Sequence, residues 1–236
     1  PDGAKLSKRH GALGVDAYRD EMGFLPEAVN NYLLRLGWGH GDEEIISQEQ
    51  AIEWFDIKDV GKGAARFDFA KLTNLNGVYL RQADDTRLAN DIAPLIAKQI
   101  GVDAIDAAQK EILIKGMSGL KERAKTLIEL ADSSAFYVTD GVTSFNEKAQ
   151  SLIDSAPEGL FAELAKELDA LESWTEENVD ASVRNIAEKL DQKLGKVAQP
   201  LRAVLTGSNS SPGIFEVMIV LGKSQTLKRI RKFDAQ

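Results

Sequence analysis

A mainly α-helical protein of more than one packed unit is what this sequence predicts, on three observations. Apolar residues recur at three- and four-residue spacings, the alternation that marks strands is almost absent, and connectors between the helical patterns are short. The 236 residues exceed the usual size of one domain, and a hydrophobic fraction of 43% is enough to fill real cores. No internal repeat is visible.

Residues 1 to 14 read as a loop, because Asp2, Gly3, Gly11 and Gly14 punctuate a basic stretch with no hydrophobic period. A helix then opens at Pro26, with Glu27 on the positive end of its dipole and Gly37 as its stop. Val29, Tyr32, Leu33 and Leu36 form its apolar face. Trp38 to Gly41 make a turn, and Ser47 with Gln50 forms a capping-box pattern before a short helix carrying Ile52 and Phe55. Asp68 caps the next helix, which runs through Leu72 and Leu75 towards Leu80.

From about residue 83 the helices lengthen. Leu88, Ile92, Leu95 and Ile96 share a face, with Pro94 expected to break or kink that helix near Ala93. Two helical patterns follow, one through Ile112 and one through Leu120, Leu127 and Leu130, with Gly116 and Gly119 between them. The chain turns around Asp140, Gly141 and Thr143. Val179, Val183, Ile186, Leu190 and Leu194 mark the clearest helix, ending at Gly195. A helix around Leu201 to Leu205 comes next. Ser211-Pro212-Gly213 then opens a helix through Phe215, Met218 and Ile219, Gly222 ends it, and Ser224 caps a final basic helix.

Charge narrows the function less than its total suggests. The net charge is -8, but residues 141 to 191 hold 12 acidic and 4 basic side chains, so the remaining 25 basic and 25 acidic residues balance. Both ends are basic: Lys5, Lys8 and Arg9 at one, Lys223, Lys228, Arg229, Arg231 and Lys232 at the other. A neutral body with local cations can hold RNA. The last group reads equally as a track for an RNA backbone and as cations complementing a helix C-terminus. Cysteine is absent, which excludes disulfides and thiolate zinc sites and suits a cytoplasmic protein. No stretch reads as a membrane span or a signal peptide, and His10 and His40 with scattered carboxylates offer no metal-ligand spacing.

The segment richest in chemistry is Lys5-Leu6-Ser7-Lys8-Arg9-His10-Gly11. Two ammonium groups three residues apart on a glycine-flanked loop can converge on a polyphosphate, with the Ser7 hydroxyl and the Arg9 guanidinium as further donors. Negative charge grows on departing pyrophosphate during adenylate transfer, and mobile lysines stabilise it most at that moment. Read alone, so short a pattern is more often a solvated basic loop than a site. Gly61-Lys62-Gly63 lacks the Walker spacing, and His10 lacks a nucleophile and an orienting carboxylate. Trp54 and Trp174 read as core anchors, and Glu158 to Asp180 as a solvated helical surface.

Asp2 to Gly11, with Trp38 behind the next helical pair, resembles the signature loop of bacterial-type glutamyl-tRNA synthetases, class I enzymes whose general form of that loop is K-M-S-K-S. Leu6 and Arg9 depart from the general form in the manner of the glutamate branch. Pro200-Leu201-Arg202, Leu205-Thr206-Gly207, Ser211 to Glu216 and Leu221-Gly222 resemble the end of the family's helical anticodon-binding region.

The resemblance implies an all-α chain: a K-M-S-K-S loop and stem-contact helices, followed by a two-part helical anticodon-binding cage. Residues 1–14 would be the ATP loop closing the catalytic domain, 15–82 the stem-contact domain, and 83–142 and 143–236 the two anticodon-binding subdomains. Lys8 and Lys5 would serve catalysis, and Lys5, Ser7, Lys8 and Arg9 would bind ATP. Arg123, on a helix, with Arg202, Ser211 and Pro212, would meet the anticodon.

It also implies the C-terminal half of a glutamate–tRNA ligase, beginning at the loop. The family's H-I-G-H-like motif should precede that loop and is absent, so the chain is expected to bind tRNA and to catalyse nothing alone. ATP, Mg²⁺ and glutamate would be met through a missing N-terminal half, with no metal in this stretch. The RNA would be glutamate tRNA, with glutamine tRNA a further candidate. The alternatives are a free-standing helical RNA-binding module and a glutaminyl-tRNA synthetase, whose anticodon region is β-rich.

Overall fold

The computed structural model describes residues 13–233, and those residues contain helices and no strand. The helices are α1 (Val15–Asp20), α2 (Pro26–Arg35), α3 (Gln48–Trp54), α4 (Phe69–Gln82), α5 (Asp85–Ile100), α6 (Ala107–Lys121) and α7 (Leu127–Ser134). They continue as α8 (Glu147–Asp154), α9 (Leu160–Asp169), α10 (Glu176–Lys189), α11 (Leu194–Thr206) and α12 (Ile214–Ile230). Short 3₁₀ turns occupy Ile57–Asp59, Ala135–Tyr137 and Arg231–Phe233. The chain forms two compact units, one from residues up to Ile92 together with Lys121–Ala131, the other from Ala93–Leu120 and Asp132 onward. None of the described helices is long and apolar enough to cross a membrane.

The first unit packs α2 against α4. Phe24, Tyr32 and Leu72 form its centre, and Tyr18, Met22, Phe67 and Leu75 close around them. The Phe67 and Tyr32 rings meet edge to face with their centroids 4.9 Å apart. Pro26 occupies the first turn of α2 and Leu36 ends it. Its buried face is Ala28, Asn31 and Tyr32, while Leu33, expected inside, is largely exposed. The capping box forms as read: Gln50 N–H donates to Ser47 Oγ at 3.2 Å and Ser47 N–H to Gln50 Oε1 at 2.9 Å. Asp68 accepts from Lys71 N–H at 3.1 Å and caps α4.

Two buried amides tie this unit together. Asn76, fully buried on α4, accepts from Leu25 N–H at 2.7 Å and donates to Lys125 O at 2.6 Å. Asn31 accepts from Ile46 N–H at 3.1 Å and from the Tyr79 hydroxyl at 2.7 Å. Each amide joins segments that are distant in sequence, Asn76 through both its oxygen and its nitrogen and Asn31 through its oxygen, and so fixes loop positions that apolar contact alone leaves free.

In the second unit α8 to α12 pack together, with Leu164, Leu168, Val179, Val183, Val197, Leu201 and Val217 among the buried side chains. Helix α10 ends earlier than its apolar period suggested. Asp191 takes a left-handed conformation (φ 50°), Gln192 N–H donates to Ala187 O at 2.8 Å, and Asp191 N–H donates to Glu188 O at 3.0 Å. This is a Schellman stop with Asp in the place where Gly is usual. Leu194 and Gly195 therefore begin α11 and do not close α10.

Two other expectations change for tertiary reasons. Helix α5 runs through Pro94, whose ring is exposed while Leu88, Ile92 and Ile96 are buried. The lost backbone bond thus faces solvent, where water can replace it. Gly116 and Gly119 lie inside α6 and separate nothing. A Cβ on Gly116 would fall 2.7 Å from the Tyr137 ring, and one on Gly119 would meet the Glu216 carboxylate, so both glycines are seats for side chains from other segments. At Gly222 the backbone leaves helical geometry (φ 76°, ψ 164°), so α12 is two helices meeting at a kink where the sequence placed the stop.

Gly116→Ala tests this packing directly. On propensity alone the change favours a helix by roughly 0.5–1 kcal/mol. Overlap with a buried ring opposes it by about 1–3 kcal/mol. The expected outcome is a lower thermal midpoint, whereas Lys115→Ala on the same helix should leave it nearly unchanged. Differential scanning fluorimetry checks both.

Candidate nucleic-acid interface

Lys5, Ser7, Lys8, Arg9 and His10, the residues with the strongest polyphosphate chemistry, lie outside the described residues. The remaining candidates separate into two groups. Arg202, Ser211 and Pro212 come together in the second compact unit, while Arg123 belongs to the first.

Arg202 lies on the last two turns of α11, and Ser211-Pro212 on the connector leading to α12. The connector starts at Gly207, which ends α11 in a left-handed conformation (φ 74°) with its N–H on Ala203 O at 2.8 Å. A Cβ there would sit 2.5 Å from Ser144 O, so only glycine lets the segment before α8 pass. Asn146 N–H donates to Gly207 O at 2.9 Å and its amide reaches the Ser208 hydroxyl at 3.2 Å. The connector is thus anchored at its start.

At its end Arg202 closes it. One guanidinium nitrogen, Nη1, donates to Ser211 O at 3.1 Å, to Pro212 O at 2.7 Å and to the Ser211 hydroxyl oxygen. The Ser211 hydroxyl in turn donates to Pro212 O at 2.9 Å. Ser211 and Pro212 are buried and Arg202 is half-buried. Ser211-Pro212-Gly213 leads directly into α12, as the sequence predicts. Gly213 is the N-cap, no side chain caps the helix, and the Ser211 hydroxyl bonds elsewhere.

Arg123 was expected on a helix. It stands in the turn after α6, two residues past Lys121, with its side chain exposed and without a hydrogen bond or ion pair among the described residues. That turn is held firmly. Lys125 O accepts from Asn76, Lys125 Nζ donates to Asn74 at 2.8 Å, and Leu127 N–H donates to Gly23 O at 2.8 Å. A guanidinium on a pinned turn presents its fork with little backbone freedom.

The basic C-terminal group is engaged within the protein. Arg229 is 1% exposed, which sequence reasoning did not foresee. It donates to Leu205 O at 2.5 Å, Phe136 O at 2.8 Å and Thr139 O at 2.8 Å. Burial lowers its pKa to about 10 against the supporting charge of Asp140, so the side chain stays cationic at neutral pH. Lys228 pairs with Asp140 at 2.6 Å, and its hydrogen bond, with that of Gln225, holds the Asp140 carboxyl below its ordinary range. Arg231 pairs with Asp169 at 2.8 Å, and Lys223 donates to Asp169 O and Leu171 O at the end of α9. Of the four cations read as a track for RNA, Lys228, Arg229, Arg231 and Lys232, the first three are therefore engaged within the protein.

Two aromatic features bear on base stacking. His40 lies flat on Trp54 at 4.4 Å and within 6.2 Å of Trp38, which is buried. Trp174 is half-buried and donates to Met218 O at 3.0 Å. No group of His, Cys, Asp and Glu suited to holding a metal ion occurs among the described residues.

Two family models match the chain. The anticodon binding domain model covers residues 87–233, and the model for the catalytic domain of class I tRNA synthetases (E and Q) covers residues 1–74. Glutamate–tRNA ligase 1 of Sphingopyxis alaskensis is 57% identical over 231 residues, 97% of this chain and 47% of the relative. Glutamate–tRNA ligase 2 of Rhodospirillum rubrum is 53% identical over 235 residues, 100% of this chain and 49% of the relative. The crystal structure of a glutamate tRNA ligase from Elizabethkingia meningosepticum in complex with its amino acid superposes with a TM-score of 0.80 at 29% identity, covering 99% of this chain and 49% of that one. The chain spans about half the length of the curated relatives it matches.

These matches correct three linked expectations: that the chain is only a C-terminal half starting at the Lys5–Arg9 loop, that it lacks the amino-acid-activating fold, and that it is a non-catalytic fragment. Catalytic-domain sequence extends to residue 74, far past the loop, and continues into the region read as stem-contact helices. The expectation rested on one absent motif, which does not measure how far a domain's sequence extends.

Arg229 gives the sharpest stability test here. Arg229→Met removes a cation and strands three carbonyls, one buried and two partly buried, which should lower stability by about 3–5 kcal/mol. The thermal midpoint should fall on the order of 10 °C. Lys228→Ala, breaking an exposed pair one residue earlier, should move it little. Thermal melts of the two variants side by side decide the matter.

Proposed function

We propose, from the premise that the chain belongs to the anticodon binding domain family, that it works in glutamate–tRNA ligase chemistry, with one part acting on ATP and the other holding tRNA. The observation that carries this reading is the order of the two matches: synthetase catalytic-domain sequence over residues 1–74, then anticodon-binding sequence over 87–233. Glutamate–tRNA ligases of similar sequence carry both. The helical state of the described residues favours the glutamate branch over glutaminyl-tRNA synthetase, whose anticodon region is β-rich.

In this reading residues 1–14 are the ATP loop, 15–82 contact the tRNA stem, and 83–142 and 143–236 are two anticodon-binding subdomains. Lys5 and Lys8 face the phosphates of ATP, with Ser7 and Arg9 as further donors, and Mg²⁺ accompanies the nucleotide. Lys8 stabilises charge on departing pyrophosphate, an interaction that grows towards the transition state. Activated glutamate then passes to the 3′ end of tRNA, in the cytoplasm, where tRNA is charged.

Arg123 and Arg202 are the base readers. A guanidinium can form two parallel hydrogen bonds to a base edge or stack on its face, and unstacked loop bases are what proteins read in RNA. Arg123 is exposed on a pinned turn, and Arg202 is oriented by the connector. Ser211 and Pro212 shape the wall beside it.

Two measurements test the proposal. In the intact ligase, Lys8→Ala should lower the rate of glutamyl-adenylate formation by about 10²-fold or more, with tRNA affinity nearly unchanged. Equal losses in both would remove Lys8 from the chemistry. Separately, labelled glutamate tRNA should bind this chain more tightly than an unrelated tRNA, and Arg123→Ala should narrow that gap by roughly tenfold. Indistinguishable binding of the two tRNAs would sink the anticodon reading.

A further inference from the structure

We infer that the groove between α2 and α4, in the first compact unit, binds a free nucleoside phosphate, with the phosphate on Arg35 and Arg66 and an amino-bearing base on the apolar floor. The site uses none of the residues assigned above to ATP or to the anticodon.

Helices α2 and α4 pack at Tyr32 and Leu72, and beside that contact they leave an open groove of about 700 Å³. Sites for small ligands and cofactors usually measure roughly 300–1,000 Å³. Leu36, Leu75 and Val78, all half-buried, give the groove its floor. Its walls are fixed. The Tyr32 hydroxyl accepts from Asp68 N–H at 2.5 Å, and the Asp68 carboxylate caps α4 at 3.1 Å. A flat ring laid on such a floor gains apolar burial with little ordering of the protein.

The charges on the rim single this groove out. Arg35 and Arg66 line it, and neither makes a hydrogen bond or ion pair among the described residues. Elsewhere in the same unit cations find carboxylates: Arg87 meets Glu27 at 2.6 Å, and Lys121 meets Asp85 at 2.7 Å. Two carboxylates, Glu44 and Asp68, line the groove itself, yet neither arginine pairs with them. Asp68 serves as the helix cap, and Glu44 faces Lys71 at 3.7 Å. Arg35 also has a seat. A Cβ on Gly39 would fall 2.7 Å from Arg35 Nη1, so the guanidinium lies against backbone that only glycine leaves bare. Two unused guanidinium forks on one rim suit a phosphate, which they hold through paired hydrogen bonds.

The mixture of signs decides the ligand class. A continuous RNA backbone would carry several phosphates past Glu44 and Asp68 as well as past the arginines, and the carboxylates would repel it. A single nucleotide avoids this. Its phosphate faces the guanidinium groups, while the exocyclic amine of its base and its ribose hydroxyls donate to Glu44. The ligand is therefore small, anionic at one end and a donor at the other.

Isothermal titration of AMP into this chain tests the site. AMP should bind, and adenosine and ribose 5-phosphate, each carrying one half of the contacts, should bind at least about tenfold more weakly. Arg35→Ala and Arg66→Ala should each weaken AMP binding about tenfold, the scale of a charge-assisted hydrogen bond. Their thermal midpoints should not move, because neither side chain has a protein partner to lose. Gly39→Ala, which displaces the Arg35 guanidinium, should weaken binding by a smaller factor, and Lys8→Ala should leave it unchanged. The inference is overturned if AMP fails to bind at millimolar concentration, or if the arginine variants bind it as tightly as the unmodified chain. It is overturned equally if Lys8→Ala removes the binding, which would put the nucleotide on the Lys5–Arg9 loop. It also falls if the arginine variants lose affinity for glutamate tRNA alone, since the groove would then be an RNA contact. None of these results bears on adenylate formation by the intact ligase, which judges the functional reading separately.

Discussion

The second compact unit depends on a buried cation. Arg229 reaches the carbonyls of Leu205, Phe136 and Thr139, which come from the end of α11, a 3₁₀ turn and the residues after it. Among the described residues no carboxylate bonds to it. Its charge is met by peptide dipoles whose negative ends converge there, with Asp140 nearby. Carbonyls at helix ends lack internal partners, and one guanidinium supplies several at once. The connector with Ser211 and Pro212 starts beside one of those carbonyls, so the place where Arg202 is oriented inherits its position from Arg229.

What the sequence made legible was local. The capping box of Ser47 and Gln50, the Asp68 cap and the Pro26 start involve partners within a few residues, and each forms as read. The end of α10 was misread because Gly195 is a common stop, while Asp191 closed the helix through two backbone bonds that any residue able to adopt positive φ can make. Gly116 and Gly119 read as breaks in the sequence because their purpose lies in Tyr137 and Glu216, both distant along the chain. Tyr137 shows how tightly that seat is closed: its buried hydroxyl has no hydrogen-bond partner among the described residues, and burial with the Glu216 charge pushes its pKa well up.

The candidate site was legible in its residues and not in its bonding. Motif resemblance singles out Arg202, Ser211 and Pro212, but nine residues separate the first two, and no spacing rule says that one nitrogen takes three acceptors there. Arg229 was missed because a cluster of cations at a chain end reads as solvated. A signal was present. It sits three residues after Thr226 and beside Leu227 and Ile230, all buried, which places a charge on an apolar stripe.

The opposed charges of residues 141–191 and the basic C-terminal group looked, in sequence, like separate surfaces. In the structure Lys223 and Arg231 are turned onto the end of α9, and Lys228 onto Asp140. The consequence concerns how such a protein meets a polyelectrolyte. A lysine drawn from a carboxylate to an RNA phosphate exchanges one counter-charge for another, and a share of the entropy of cations leaving the RNA is offset by the carboxylate regaining its own ion atmosphere. The slope of affinity against ionic strength then reports fewer contacts than the complex contains.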